Sequence, residues 1–93
     1  MTRQQGSIYF IQRDMIQPLS EIAQKLPLGI YKHFKGHVVR VLGVARDSES
    51  GAEMVVYQKT ANGDLWVRPI DMFLETVDRD GVVQPRFQYV GEE

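Results

Sequence analysis

Trp66 and Arg68 stand two residues apart in the stretch "GDLWVRPIDMFLE", and the chain has no other tryptophan. In a strand, side chains at i and i+2 share a face. The pair would then set a flat apolar platform beside a fork of donors. Such a platform can stack a ring and grip a carboxylate or phosphate. The same alternation puts Leu65 and Val67 on the opposite face, where they are the expected contribution to the core. A plainer arrangement packs Trp66 under an N-terminal helix and pairs Arg68 with Glu75 or Asp71. A second group is "YKHFKGH". Tyr31 and His33 share one face, Lys32 and Phe34 the other, and Lys35 and Arg40 follow closely. A basic, aromatic edge suits single-stranded nucleic acid or an anionic peptide. A solvated edge strand defended by lysines would show the same residues. Tyr31, His33, Arg40, Tyr57, Trp66 and Arg68 are therefore the candidate ligand-binding residues.

Other chemistries find little support. His33 and His37 are the only histidines. Their spacing suits a metal on a helix, but this stretch reads as strand and turn, and no third ligand is evident. No metal and no cofactor are expected. A hydrolase triad could be drawn through His33, but no "GxSxG" is present. Ser48 and Ser50 fall in a polar loop, where serines form turn hydrogen bonds. Glycines 29, 36, 43, 51, 63 and 81 fall one per turn or bend, so none builds a phosphate-cradling loop. Asp71, Glu75, Asp78 and Asp80 gather near the last hairpin and read as a solvated acidic surface. No catalytic signature is visible, and the chain is read as a non-enzyme.

The elements that must position these residues follow from pattern and turn chemistry. Leu19, Ile22, Ala23 and Leu26 of "QPLSEIAQKLP" recur as one apolar helical face. Pro18 suits the first helical position and Pro27 the stop. Upstream, Ser7–Gln12 reads as a short strand that packs on the body or on a second copy. Strands follow at "GIYKHF", "HVVRVLGVARD", "AEMVVYQKT" and "DLWVR". Gly43 marks a bend or bulge. Asn62-Gly63 marks a hairpin turn with both residues tolerant of positive φ, and Pro69 ends the fourth strand. "PIDMF" reads as a tight or 3₁₀ turn. "LETVDRDGVVQPRFQYV" holds two more strands around Asp80-Gly81. Short strands at this spacing predict an all-β fold, a small SH3-like barrel of five to six antiparallel strands with one added N-terminal α-helix. Residues 1–28 form the arm and helix and 29–93 the barrel.

Bulk properties agree with one small domain. The chain has 93 residues and a formal net charge of -1 from 11 basic and 12 acidic side chains. That balance gives no strong positive field for wrapping duplex DNA. With no cysteine, a disulfide framework and a cysteine zinc site are both excluded. A secreted domain of this size usually carries disulfides, so a cytoplasmic location is expected. No apolar run approaches the ~20 residues of a membrane span. Nor does the run Ile8–Ile11 match a secretory signal.

Five stretches in order carry a family resemblance: "YKHFKG" at Tyr31–Gly36, "RVLGVARDSESG" at Arg40–Gly51, "VVYQ" at Val55–Gln58, "LWVRPIDMFLETV" at Leu65–Val77 and "PRFQYV" at Pro85–Val90. Together they resemble domain-of-unknown-function family number sixteen fifty-three, a set of short, mostly bacterial proteins similar in fold to SH3-type barrels. The resemblance spans residues 29–90 and implies no activity, ligand or catalytic residue. Two departures stand out. "KTANGD" is short where the family pattern is longer and richer in tyrosine and glycine, which would shorten one wall of a groove. His37-Val38-Val39 precedes Arg40 where an apolar or aromatic residue is frequent.

The reading that results is a non-catalytic binding module that recognises a peptide or nucleic-acid segment through its aromatic and arginine face. A small-molecule or anion-binding regulatory domain, with Arg68 and His33 on a carboxylate or phosphate, is the alternative. A structural accessory that forms a homo-oligomer through the arm is a third.

Overall fold

The structure is a computed structural model and describes residues 18–93. The strand expected at Ser7–Gln12, and oligomer formation through it, lie outside the described residues. Helix α1 spans Glu21–Lys25 and is followed by β1 Gly29–His33, β2 Val38–Arg46, β3 Glu53–Lys59 and β4 Leu65–Pro69. Helix α2 Ile70–Phe73 then leads to β5 Thr76–Arg79, β6 Val82–Pro85 and β7 Phe87–Gly91. The fold is mainly β and barrel-like. One five-stranded sheet runs β4-β3-β2-β1-β7 and a second pairs β5 with β6; the pairings are antiparallel.

Among the described residues seven strands form, where the sequence predicts five or six. The extra one arises because Pro85, lacking an N–H, ends β6. Arg86 then turns the chain: its N–H donates to the Glu75 carbonyl and its carbonyl accepts from Phe34 N–H. Phe87 thereby joins the large sheet beside β1. β1 is consequently an interior strand between β2 and β7, not the lysine-guarded edge its composition allows.

The helix starts later than its periodicity predicts. Ser20 is the N-cap, its Oγ accepting from Ala23 N–H at 3.1 Å. Pro18 lies outside the helix. Ser20 N–H and Oγ–H donate to the two oxygens of Glu53 at 2.6 and 2.7 Å. Those bonds, the backbone one first, hold the Glu53 carboxyl below the usual range. A contact 33 residues away in sequence thus decides where the helix begins. Of the predicted apolar face, Ala23 and Leu26 are buried but Ile22 is exposed.

The turns also differ in detail. The Asn62-Gly63 hairpin forms, but only Gly63 takes positive φ. Asn62 Oδ1 instead accepts from Asp64 N–H, and Gly63 N–H donates to the Lys59 carbonyl, giving a wider loop. "PIDMF" forms a single turn of α-helix. In the last hairpin Asp80 and Gly81 both adopt positive φ, as a two-residue primed turn demands.

The inner face of the large sheet carries the core. Tyr31, Val39, Val41, Val55, Tyr57 and Phe87 lie on it, with Leu26 and Phe73 packed over them. Phe73 is fully buried, and its ring stacks on Phe87 at 4.3 Å and 7°. The bulge foreseen at Gly43 is present, as a register shift between Val41 and Gly43. It changes the parity of β2. Val41 faces Tyr57 and, three residues on, Val44 still faces Val55, so both valines serve the same core. Gly29 is obligatory where β1 meets β7: at φ +128, a Cβ there would lie 2.6 Å from the Gly91 carbonyl oxygen.

Candidate functional site

β4 is the outermost strand of its sheet, and its faces are the reverse of those predicted. Leu65 and Val67 are 64% and 56% exposed. Trp66 and Arg68 point to the inner face, because Trp66 is registered with Tyr57 and Arg68 with Val55. Those two partners are core residues, so the register allows no other assignment. Trp66 does not lie beneath the helix, and Arg68 pairs with neither Glu75 nor Asp71. It is Arg86 that takes Glu75, at 3.0 Å.

Along the inner face, successive residues change character. On β3, Val55 and Tyr57 are followed by Lys59; on β1, Tyr31 is followed by His33; ahead of β2, Val41 and Val39 are preceded by His37. The apolar rows end and a cleft begins. Its volume is about 270 Å³, and it is lined by His33, Lys35, His37, Val39, Tyr57, Lys59, Trp66, Arg68 and Phe87. The five titratable nitrogen-bearing side chains among them are all basic. Among the described residues no Asp or Glu lines the cleft.

Each group has a distinct setting. Lys59 Nζ lies 4.7 Å from the Trp66 ring centroid, and Trp66 is 48% exposed. A cation over an open indole is a stabilising contact. Arg68 Cζ lies 5.8 Å from the Phe87 ring. Its Nε is buried and has no hydrogen-bond acceptor, an arrangement that costs about 1–3 kcal/mol. His33 sits between Phe87, at 4.9 Å edge-on, and His37, at 5.4 Å. Its Nδ1 accepts from Lys35 N–H at 3.1 Å, which leaves Nε2 to carry the proton of the neutral ring. Burial, followed by His37, Arg86, Arg68 and Lys35, pushes the His33 pKa down.

Of the six predicted site residues, His33, Trp66 and Arg68 meet in the cleft and Tyr57, 5% exposed, forms its floor. Tyr31 lies deeper. It is 3% exposed, its hydroxyl donates to the Pro27 carbonyl at 2.7 Å, and burial with the nearby Tyr89 pushes its pKa up to about 12. Tyr31 is thus a core group. Arg40 leaves for the other face of the sheet, where it reaches the Glu92 carbonyl at 3.4 Å and Glu93 at 3.6 Å. Lys35, His37, Val39, Lys59 and Phe87 complete the cleft and are not among the predicted site residues. Strand parity was the available signal for Lys59, two residues beyond Tyr57. Phe87 gave none, because its strand was merged with β6.

The acidic residues of the last hairpin have local partners: Asp78 Oδ1 accepts from Gly81 N–H and Asp71 Oδ1 from Met72 N–H. Among the described residues no three His, Cys, Asp or Glu side chains gather to hold a metal ion. No helix among them is long and apolar enough to cross a membrane.

Comparison with known proteins agrees with this fold. A family model described as "Protein of unknown function (DUF1653)" matches residues 29–89. A crystal structure of a protein of that family from Bordetella bronchiseptica is similar at 35% identity and a TM-score of 0.71, covering 76% of this chain and 95% of the other. No curated protein matches.

Proposed function

On the premise that the chain belongs to the DUF1653 family of proteins of unknown function, we propose that it is a non-catalytic binding module whose cleft takes an anionic chain segment. The observation that carries this is the lining itself: lysines, histidines and an arginine set among aromatic rings, with no carboxylate among the described residues of the lining. On a chain of net charge -1, that local excess favours an anion over any other ligand. Arg68 is the anchor, because its planar fork suits carboxylate and phosphate alike. The volume of about 270 Å³ is below the ~300 Å³ at which small-molecule pockets begin. That size supports one unit of a longer ligand held in an open groove. The SH3-type barrel expected from the sequence fits this reading only as fold analogy.

Titration with labelled polyglutamate, an oligonucleotide and inorganic polyphosphate tests the proposal. At least one should bind, less tightly as salt rises. Arg68→Met keeps the side-chain bulk and should weaken binding about tenfold. If none of the three binds, or Arg68→Met and Lys59→Met bind as the wild type does, the cleft is not a ligand site.

A further inference from the structure

Resting on that binding reading, we infer that the cleft takes single-stranded nucleic acid, with a base stacked on Trp66 and its phosphates on Lys59, Lys35 and Arg68. Two observations choose this chemistry over an acidic peptide. Trp66 is 48% exposed although it lies on the core face of the sheet. An open indole there is a stacking surface, which a carboxylate side chain does not use and every nucleobase does. Lys59 Nζ lies over the same ring, 4.7 Å from its centroid; a base that stacks on that face displaces the flexible lysine to the rim, where it meets the linked phosphate. The cations and the aromatic ring are thus adjacent in the alternation a nucleotide chain presents.

Single strands are favoured over duplex for two reasons. Stacking on Trp66 requires an unpaired base, and duplex bases are already stacked on one another. The chain also carries as many acids as bases to within one, so no extended positive face follows a duplex backbone. Three cations on the strand predict modest affinity with a slope of log K against log salt of about -2. His33 lines the same cleft and adds a positive charge when protonated. Burial first, and then His37, Arg86, Arg68 and Lys35, oppose protonation of His33 in the empty cleft, and an entering phosphate favours it. Binding should therefore tighten as pH falls.

The one tryptophan makes the test direct, since its emission reports the cleft alone. The full chain is titrated with an oligothymidine, the matching duplex, polyphosphate and polyglutamate of equal charge. The oligothymidine should quench Trp66 and bind about tenfold or more tighter than the three others. Trp66→Leu should lose that advantage while polyphosphate binding is retained, and Trp66→Phe, which keeps a ring face, should recover most of it. If the oligothymidine binds no better than polyphosphate and leaves the emission unchanged, stacking is refuted and the anion-binding module stands. Tighter binding of polyglutamate assigns a peptide ligand, and equal binding of duplex removes the single-strand preference; both overturn the inference. If nothing binds, the binding module itself fails.

Discussion

The two ends of the inner sheet face are built from the same strands and do opposite things. At one end Tyr31, Val41 and Val55 close under Phe73, and none of these four exceeds 3% exposure. At the other, one step of alternation along each strand brings His33, His37 and Lys59, with Trp66 half open. The dry end is sealed because α2 drops Phe73 onto it. Among the described residues no such ring closes the wet end, which is lined by cations. A domain of this length has little core to spare, burying only a little over ~60% of its unfolded surface. It concentrates the buried contacts at one end and leaves the other more exposed.

That contrast can be broken most severely at Phe73. Phe73→Ala removes a fully buried ring stacked on Phe87 and in contact with Tyr31 and Tyr57. It should cost about 3–5 kcal/mol, a large part of a domain's ~5–15 kcal/mol. Lys59→Met, at the wet end, should stay within about 0.5 kcal/mol. Equal urea midpoints for the two variants would show that the ends do not differ. Next in size is Tyr31→Phe, which leaves the Pro27 carbonyl without its donor. A loss of about 1 kcal/mol is expected; an unchanged midpoint would mean that water replaces the hydroxyl and that this end is not dry.

The pH dependence reads the wet end through His33. His33 titrates below the ordinary value of 6.5 in the folded chain, so the unfolded chain binds more protons just below that value. Stability should therefore be complete above pH 6.5 and decline as pH falls through the window beneath it. Polyphosphate, which favours the protonated ring, should offset the decline. Melting temperatures of the wild type and His33→Gln across that range check this, and parallel curves would remove His33 from the account. Glu53 acts in a lower window: its stabilising bonds hold above the ordinary 4.5 and are lost as pH falls below it. The smallest effect belongs to the outer face. Val67→Thr, at a site 56% exposed, should change stability by less than about 0.5 kcal/mol. A larger loss would mean that this face is covered in solution.

Much of this was legible beforehand, and the failures have physical causes. Alternation put Trp66 with Arg68, and it did so correctly. It could not say which face was inner. Leu65 and Val67 look like core residues by hydropathy, yet β4 is an outer strand and its partners Tyr57 and Val55 decide the matter. The helix start was misplaced because Pro18 is a local signal, while the Ser20 cap is secured by Glu53 from a distant strand. Tyr31 and Arg40 looked alike as site residues. One became core and the other took the C-terminal acids as partners.

The sequence alone determined the strand periods, the turns at Asp80-Gly81 and Gly63, the bulge beside Gly43 and the pairing of side chains along each strand. These depend on dihedral preferences and on a repeat of two, which act over a few residues. Only the tertiary structure decided which side of each strand is buried, that β1 is interior, and that Lys59, His37 and Phe87 join Trp66 and Arg68 in one cleft. Those outcomes depend on cross-strand register and on Phe73 covering one end of a sheet, interactions between residues far apart in the chain.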